Sequence, residues 1–230
     1  MIDGLIKKQD LHALLSKLLD HYRVYAPVRH QGMTNFQEIS AADQVDLSSP
    51  NTTLSPKSLM LPQSESMFQF TLMETSEQAG ILRGIEKVFS PRVIFAIRPC
   101  DAKSFQLLDL NFDTPSYRDP YWIGQRQSTT LVGLGCNQPC RTCFCTSVGS
   151  GPFSTDGLDL LFIDTGDEFA IQILTKKGEE LLSNTTVETE VSEASANAVL
   201  ERQESSLQAI GSTVSTENLK QHDVKALFDG

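Results

Sequence analysis

RVIFAIRPCDAKSFQLLDLNF, residues 92–112, is the stretch that decides the fold. Its opening run from Arg92 to Ile97 is continuously β-branched, aromatic or apolar after the first residue, the pattern of a strand covered on both faces. Beyond Pro99, Phe105, Leu107 and Leu108 recur at helical spacing. Strand, tight turn and helix in succession are the unit from which parallel α/β sheets are assembled.

Working outward, TTLVGLGC at 129–136 reads as a second buried strand, and it runs directly into the cysteine-rich segment CNQPCRTCFCTS. LDLLFID at 158–164 and EFAIQIL at 168–174 read as two strands joined in a hairpin at Gly166 and Asp167. TKKGEELL opens a short helix, SEASANAVLERQESSLQAI a longer one, and TENLKQHDVKALFDG a last helical turn or two. On the N-terminal side, residues 5–20 place Leu11, Leu14, Leu15, Leu18 and Leu19 on one helical face. HYRVYAPV and NFQEI follow as strands across a turn at Gln31 and Gly32. Residues 41–62, interrupted by Pro50, Pro56 and Pro62, form a long, mostly extended connection leading to an apolar MFQF strand. The fold class is therefore α/β, with a mixed, partly parallel sheet and flanking helices. The expected division is a small N-terminal α+β lobe over 1–40, a core over 41–183 and a C-terminal helical connector over 184–230.

The chain has 230 residues, enough for a sizeable core, and a net charge of −10 opposes binding to nucleic acid or anionic lipid. The opening MIDGLIKKQDLHALL mixes Asp and Lys among its apolar residues and lacks a signal-type apolar core, so a cytoplasmic protein with no membrane insertion is expected. No GxGxxG opens a helix after a strand, no phosphate-cradling GxxxxGK[ST] appears, and no nucleophile motif anchors a catalytic triad. The histidines His12, His21, His30 and His222 are scattered singly and are assigned no chemistry.

Four of the five cysteines, Cys136, Cys140, Cys143 and Cys145, fall within ten residues, and Cys100 ends the first buried strand unit. Thiolates at this density suit a soft metal centre, because several deprotonated sulfurs together can surround an ion or a cluster. A [4Fe-4S] cluster commonly takes three thiolates from one loop and a fourth from elsewhere. Here the loop could supply Cys136, Cys143 and Cys145 with Cys100 reaching across, or all four loop cysteines could bind. Structural zinc is the rival, although Cys₄ zinc sites usually use two separated CxxC knuckles rather than one C-x3-C-x2-C-x-C run. A third reading is a thiol-redox protein using the CFC pair. Asp101 either caps the following helix or supplies an oxygen ligand. Arg98, Lys103 and Arg141 flank the sulfurs, either as charges that favour a reduced cluster or as solvated surface residues. Phe144 is expected to point away from the cluster and shield it, while Pro99 and Pro139 stiffen the approaches.

The runs YRVYAPV, LSPKSLMLPQSESMFQF, AIRPCDAKSFQLLD, DPYW, CFCTSVGSGP and GLDLLF, in that order, resemble the beta subunit family of cytoplasmic sulfhydrogenases and anaerobic sulfite reductases. The resemblance implies an iron–sulfur electron-transfer subunit whose ligands are Cys100, Cys136, Cys143 and Cys145, with Cys140 outside the shared pattern. It also implies a hetero-oligomer, with a flavin and NAD(P)H-binding reductase subunit on one side and a catalytic or iron–sulfur subunit on the other. Members of the family carry a further ferredoxin-like segment with two CxxCxxCxxxC runs. The resemblance therefore implies either a fragment of such a protein or a split form whose ferredoxin part is a separate polypeptide.

Overall fold

A computed structural model describes residues 2–72, 80–183, 185 and 187–210. The last helical turns expected after 215, and His222 with them, lie outside the described residues. Nine strands are described: β1 (Gly4–Lys7), β2 (Arg23–His30), β3 (Met33–Ile39), β4 (Phe68–Gln69), β5 (Arg83–Gly84), β6 (Arg92–Ile97), β7 (Thr129–Leu134), β8 (Leu160–Asp164) and β9 (Glu168–Ile173). The helices are α1 (Leu11–Leu19), α2 (Pro99–Phe112), α3 (Pro120–Ser128), α4 (Lys176–Leu182) and α5 (Glu193–Ile210).

Seven strands form one sheet in the order β1-β9-β8-β7-β6-β2-β3. The four central strands β2, β6, β7 and β8 are parallel, and both margins are antiparallel. The sheet is thus mixed and partly parallel, as the buried runs of β6 and β7 implied. The β2–β3 hairpin turns at Gln31 and Gly32, both at positive φ (49° and 82°), the geometry that a two-residue turn between twisted strands requires. Strands from residues 1–40 pair directly with those of the core, β1 with β9 and β2 with β6.

Side chains alternate between two cores. On one face Val93, Phe95, Val132, Leu134, Leu160 and Phe162 pack beneath Leu14, Leu15 and Leu18 of α1 and Leu181 and Leu182 of α4. On the other, Ile94, Ile97, Leu131, Leu161 and Ile163 meet Phe105 of α2, Trp122 of α3 and Val199 of α5.

The helix expected over 5–20 starts later than the leucine pattern implies. Residues 5–7 are strand, because Leu5 and Ile6 point into opposite cores and the open edge of β9 takes their backbone. The MFQF strand shrinks to Phe68–Gln69, paired with Arg83–Gly84 and exposed. Helix α3 was not anticipated. Its start is fixed by Asp119, whose carboxylate accepts N–H bonds from Tyr121 and Trp122 (both 2.9 Å), with Pro120 at the first helical position.

A candidate thiol centre at the carboxyl edge of the sheet

Adjacent parallel strands release the chain at the same edge, and this brings the two cysteine segments together. β6 pairs with β7, across a one-residue shift at Ala96, up to Ile97 and Gly133; three residues further along the chain from each come Cys100, in the first turn of α2, and Cys136. The exit from β7 is fixed by Gly135 N–H donating to Phe162 O (2.8 Å) and Cys136 N–H to Pro152 O (2.9 Å). Gly135 is required there, because a Cβ would collide with the Phe153 ring. Cys145 then opens a 3-10 turn, Cys145–Val148, closed by Gly149 at φ 72°. Ser150 N–H returns to Cys145 O at 3.0 Å.

Arg98 holds the two strand ends to each other. Its guanidinium donates to the carbonyl oxygens of Gly135 (3.1 Å), Leu134 (3.4 Å) and Ser49 (2.8 Å), and is half-buried, not a solvated surface group. Lys103 pairs with Asp156 at 2.9 Å, and Arg141 is exposed. Asp101 does not cap α2. It lies inside the first turn, and its carboxylate accepts Ser55 Oγ at 2.6 Å, tying residues 41–62 to the helix that carries Cys100. The cap position is held by Arg98, whose side chain is already committed elsewhere.

All five cysteines are outside disulfides. Cys100 is solvent-accessible, yet the protein mass around it pushes its thiol up to about 11, with Asp101, Cys136 and Cys145 adding negative charge in the same direction. Burial also raises Cys136, against the pull of the neighbouring Arg98 guanidinium. Burial and the hydrogen bond to Cys140 push Cys143 up to about 12. Cys140 is lowered by the hydrogen bonds from Cys143 and Thr142.

Two buried side-chain polar atoms among the described residues have no hydrogen-bond partner: Asn137 Oδ1, next in sequence to Cys136, and Ser150 Oγ, whose own backbone N–H bonds to Cys145 O. The donor set, thiols at one sheet edge, fits a soft metal or iron–sulfur group in its chemistry. The sulfurs are not gathered around a centre, however. Among the described residues no three His, Cys, Asp or Glu side chains are grouped to hold a metal ion, and Cys143 instead lies 2.9 Å from Cys140. Phe144 is 53% exposed, turned outward from the loop.

Sequence reading missed Ser206 of α5. It is fully buried and its hydroxyl donates to Cys136 O, clamping the C-terminal helix onto the loop. The signal was present, since Val199, Ser206 and Ile210 share one buried helical face and a serine there needs a partner. A cleft of about 280 Å³ opens beside Cys136, bordered by Arg98, Asn137, Asp164 and Arg202.

A thiol-rich loop at the carboxyl edge of an α/β sheet lies where open sheets of this class place their ligands. The chain is 28% identical over 206 residues to the sulfhydrogenase 2 subunit beta of Pyrococcus furiosus, a match covering 89% of this chain and 58% of that protein. That similarity agrees with the motif resemblance described above. The chain spans little more than half the length of this relative. No protein-family model matches the chain, and no solved structure does. No helix among the described residues is long and apolar enough to cross a membrane.

Proposed function

We propose that the chain is a cytoplasmic electron-transfer subunit of an oxidoreductase complex, holding one [4Fe-4S] cluster through Cys100, Cys136, Cys143 and Cys145. The observation that carries this reading is the convergence of Cys100 and Cys136 at one edge of two neighbouring parallel strands. The similarity to a sulfhydrogenase beta subunit supports it. Such a cluster supplies one-electron transfer. The chain's own residues fix its surroundings: Arg98 braces both ligand-bearing strand ends and brings a positive charge beside Cys136, and Ser206 orients the Cys136 backbone. The buried Ser150 hydroxyl is available to donate to an anionic sulfur.

Electrons would pass between a flavin and NAD(P)H-binding subunit and a hydrogenase or sulfur- or sulfite-reducing subunit in a hetero-oligomer.

Protein prepared without oxygen should be brown, with iron and sulfide near four each per chain. Cys100→Ser and Cys136→Ser should each lose most of the iron, and Cys140→Ser should retain it. A colourless preparation with stoichiometric zinc would replace the cluster with a structural metal. Retention of metal in Cys100→Ser with its loss in Cys140→Ser would move the site to the four loop cysteines.

A further inference from the structure

Cys140 is the one cysteine with no part in the proposed ligand set, and its sulfur touches one that has. Cys140 Sγ and Cys143 Sγ are 2.9 Å apart, Cys140 N–H donates to Cys143 Sγ at 3.0 Å, and Cys143 N–H donates to Cys140 O at 3.0 Å. These contacts close CRTC into a single turn with both sulfurs on one side. A disulfide of about 2.05 Å needs little further closure from there. The intervening Arg141 and Thr142 are exposed, so the turn is open to a small reactant. Cys145, although nearer Cys143 in sequence, begins a separate 3-10 turn tied to Ser150.

We infer that Cys140 and Cys143 form a dithiol/disulfide redox site that competes with metal for Cys143; the competition, though not the disulfide, rests on the proposed ligand set. The co-reactant is a low-molecular-weight disulfide of the glutathione class. Cys140 thiolate attacks one of its sulfurs, forming a mixed disulfide and releasing the first small thiolate. Cys143 thiolate then attacks Cys140 Sγ, forming the intramolecular bond and releasing the second. The two cysteine thiols lose two protons and two electrons, and the small disulfide is reduced to two thiols. Bonded to Cys140, Cys143 has no thiolate to offer iron.

The test uses the metal-free 230-residue chain equilibrated with glutathione disulfide, then alkylated and mapped by mass spectrometry. All but two cysteines should alkylate, with a Cys140–Cys143 linkage in the spectrum. Cys140→Ser should leave every remaining thiol alkylated, and Cys145→Ser should still form the linkage. A bond from Cys143 to Cys145 or to Cys136, or no intramolecular bond, overturns the inference. Iron and sulfide are then offered to the oxidised chain. Uptake is expected to fall about tenfold or more and to return with dithiothreitol, because a sulfur in a disulfide cannot ligate. Equal uptake by oxidised and reduced wild type overturns the competition. If the reduced wild type and Cys140→Ser both refuse iron while the linkage forms, the cluster reading fails and the dithiol site stands.

Discussion

Arg98 stands between the two cysteine segments with three carbonyl oxygens on its guanidinium, one from residues 41–62 and two from the exit of β7. A planar fork can serve carbonyls lying in different directions; a lysine ammonium on the same stem reaches one of them at a time. Arg98→Met should therefore cost about 2–4 kcal/mol in denaturant unfolding, since partly buried carbonyls lose charged donors. Arg98→Lys should recover less than half of that. Full recovery by lysine would mean that charge, not the bracing of two strand ends, is what the position needs. The residue was visible in the sequence as a cation next to a cysteine. Its actual partners were not, because a backbone carbonyl acceptor leaves no mark in composition or spacing. The same limit hid the link from Ser206 to the Cys136 carbonyl, although a serine on the buried face of α5 was the clue.

Strand β6 carries a bulge just before the site. Phe95 pairs with Val132 and Ile97 with Gly133, leaving Ala96 unpaired at φ 61°. Phe95 and Ala96 consequently pack into the same core, and Ile97 enters the opposite one. The extra residue re-aims the strand end that leads to Cys100, a common use of bulges beside functional sites. Left-handed backbone at a non-glycine residue is strained, and most strained at a β-branched one. Ala96→Val, ordinarily a favourable change in a buried strand, should lower stability by about 2–4 kcal/mol. Ala96→Gly should stay within about 1 kcal/mol of wild type. Thermal unfolding of the two variants decides it, and a stable valine variant would show that the bulge is not maintained. The periodic elements were the legible ones: the continuous apolar runs of β6 and β7 announced parallel strands, and Gln31–Gly32 announced a hairpin. α3 was not legible, because PYWIGQRQS has no apolar stripe; one deeply buried Trp122, donating to Asp109 at 2.7 Å, and the Asp119 cap define it instead. The leucine pattern misled at residues 5–7, where a free sheet edge outweighed helical spacing.

Across the molecule, residues 41–62 do what no strand or helix does: they lie over the carboxyl edge and join the β2–β3 hairpin to Arg98 and to α2. Asp46 is their anchor. Its carboxylate accepts from Thr34 Oγ1 on β3 (3.0 Å), from Ser48 N–H (2.9 Å) and from Ser49 Oγ (3.1 Å). Burial alone would push Asp46 up, but these donors, Ser48 foremost, outweigh it and hold the carboxyl below its ordinary value. A carboxylate lowered in the folded state contributes stability that is full above its unfolded value, near 3.9, and is lost as pH falls through the folded value. Glu38, lowered by the Arg23 guanidinium, acts in the same direction, although this pair is about half exposed and is screened by solvent. Asp101 opposes them, because burial raises it and acid relieves its penalty. For a cooperative two-state transition the acid limb of a stability–pH curve reports the balance of these groups. Asp46→Asn should be less stable than wild type by about 1–2 kcal/mol at neutral pH, having lost charge-assisted hydrogen bonds. Its deficit should shrink as pH falls below about 4, where the wild type begins to lose the same contribution. Urea midpoints measured from neutral pH into acid for both proteins test this, and a deficit that stays constant throughout would mean that Asp46 acts by shape and not by charge.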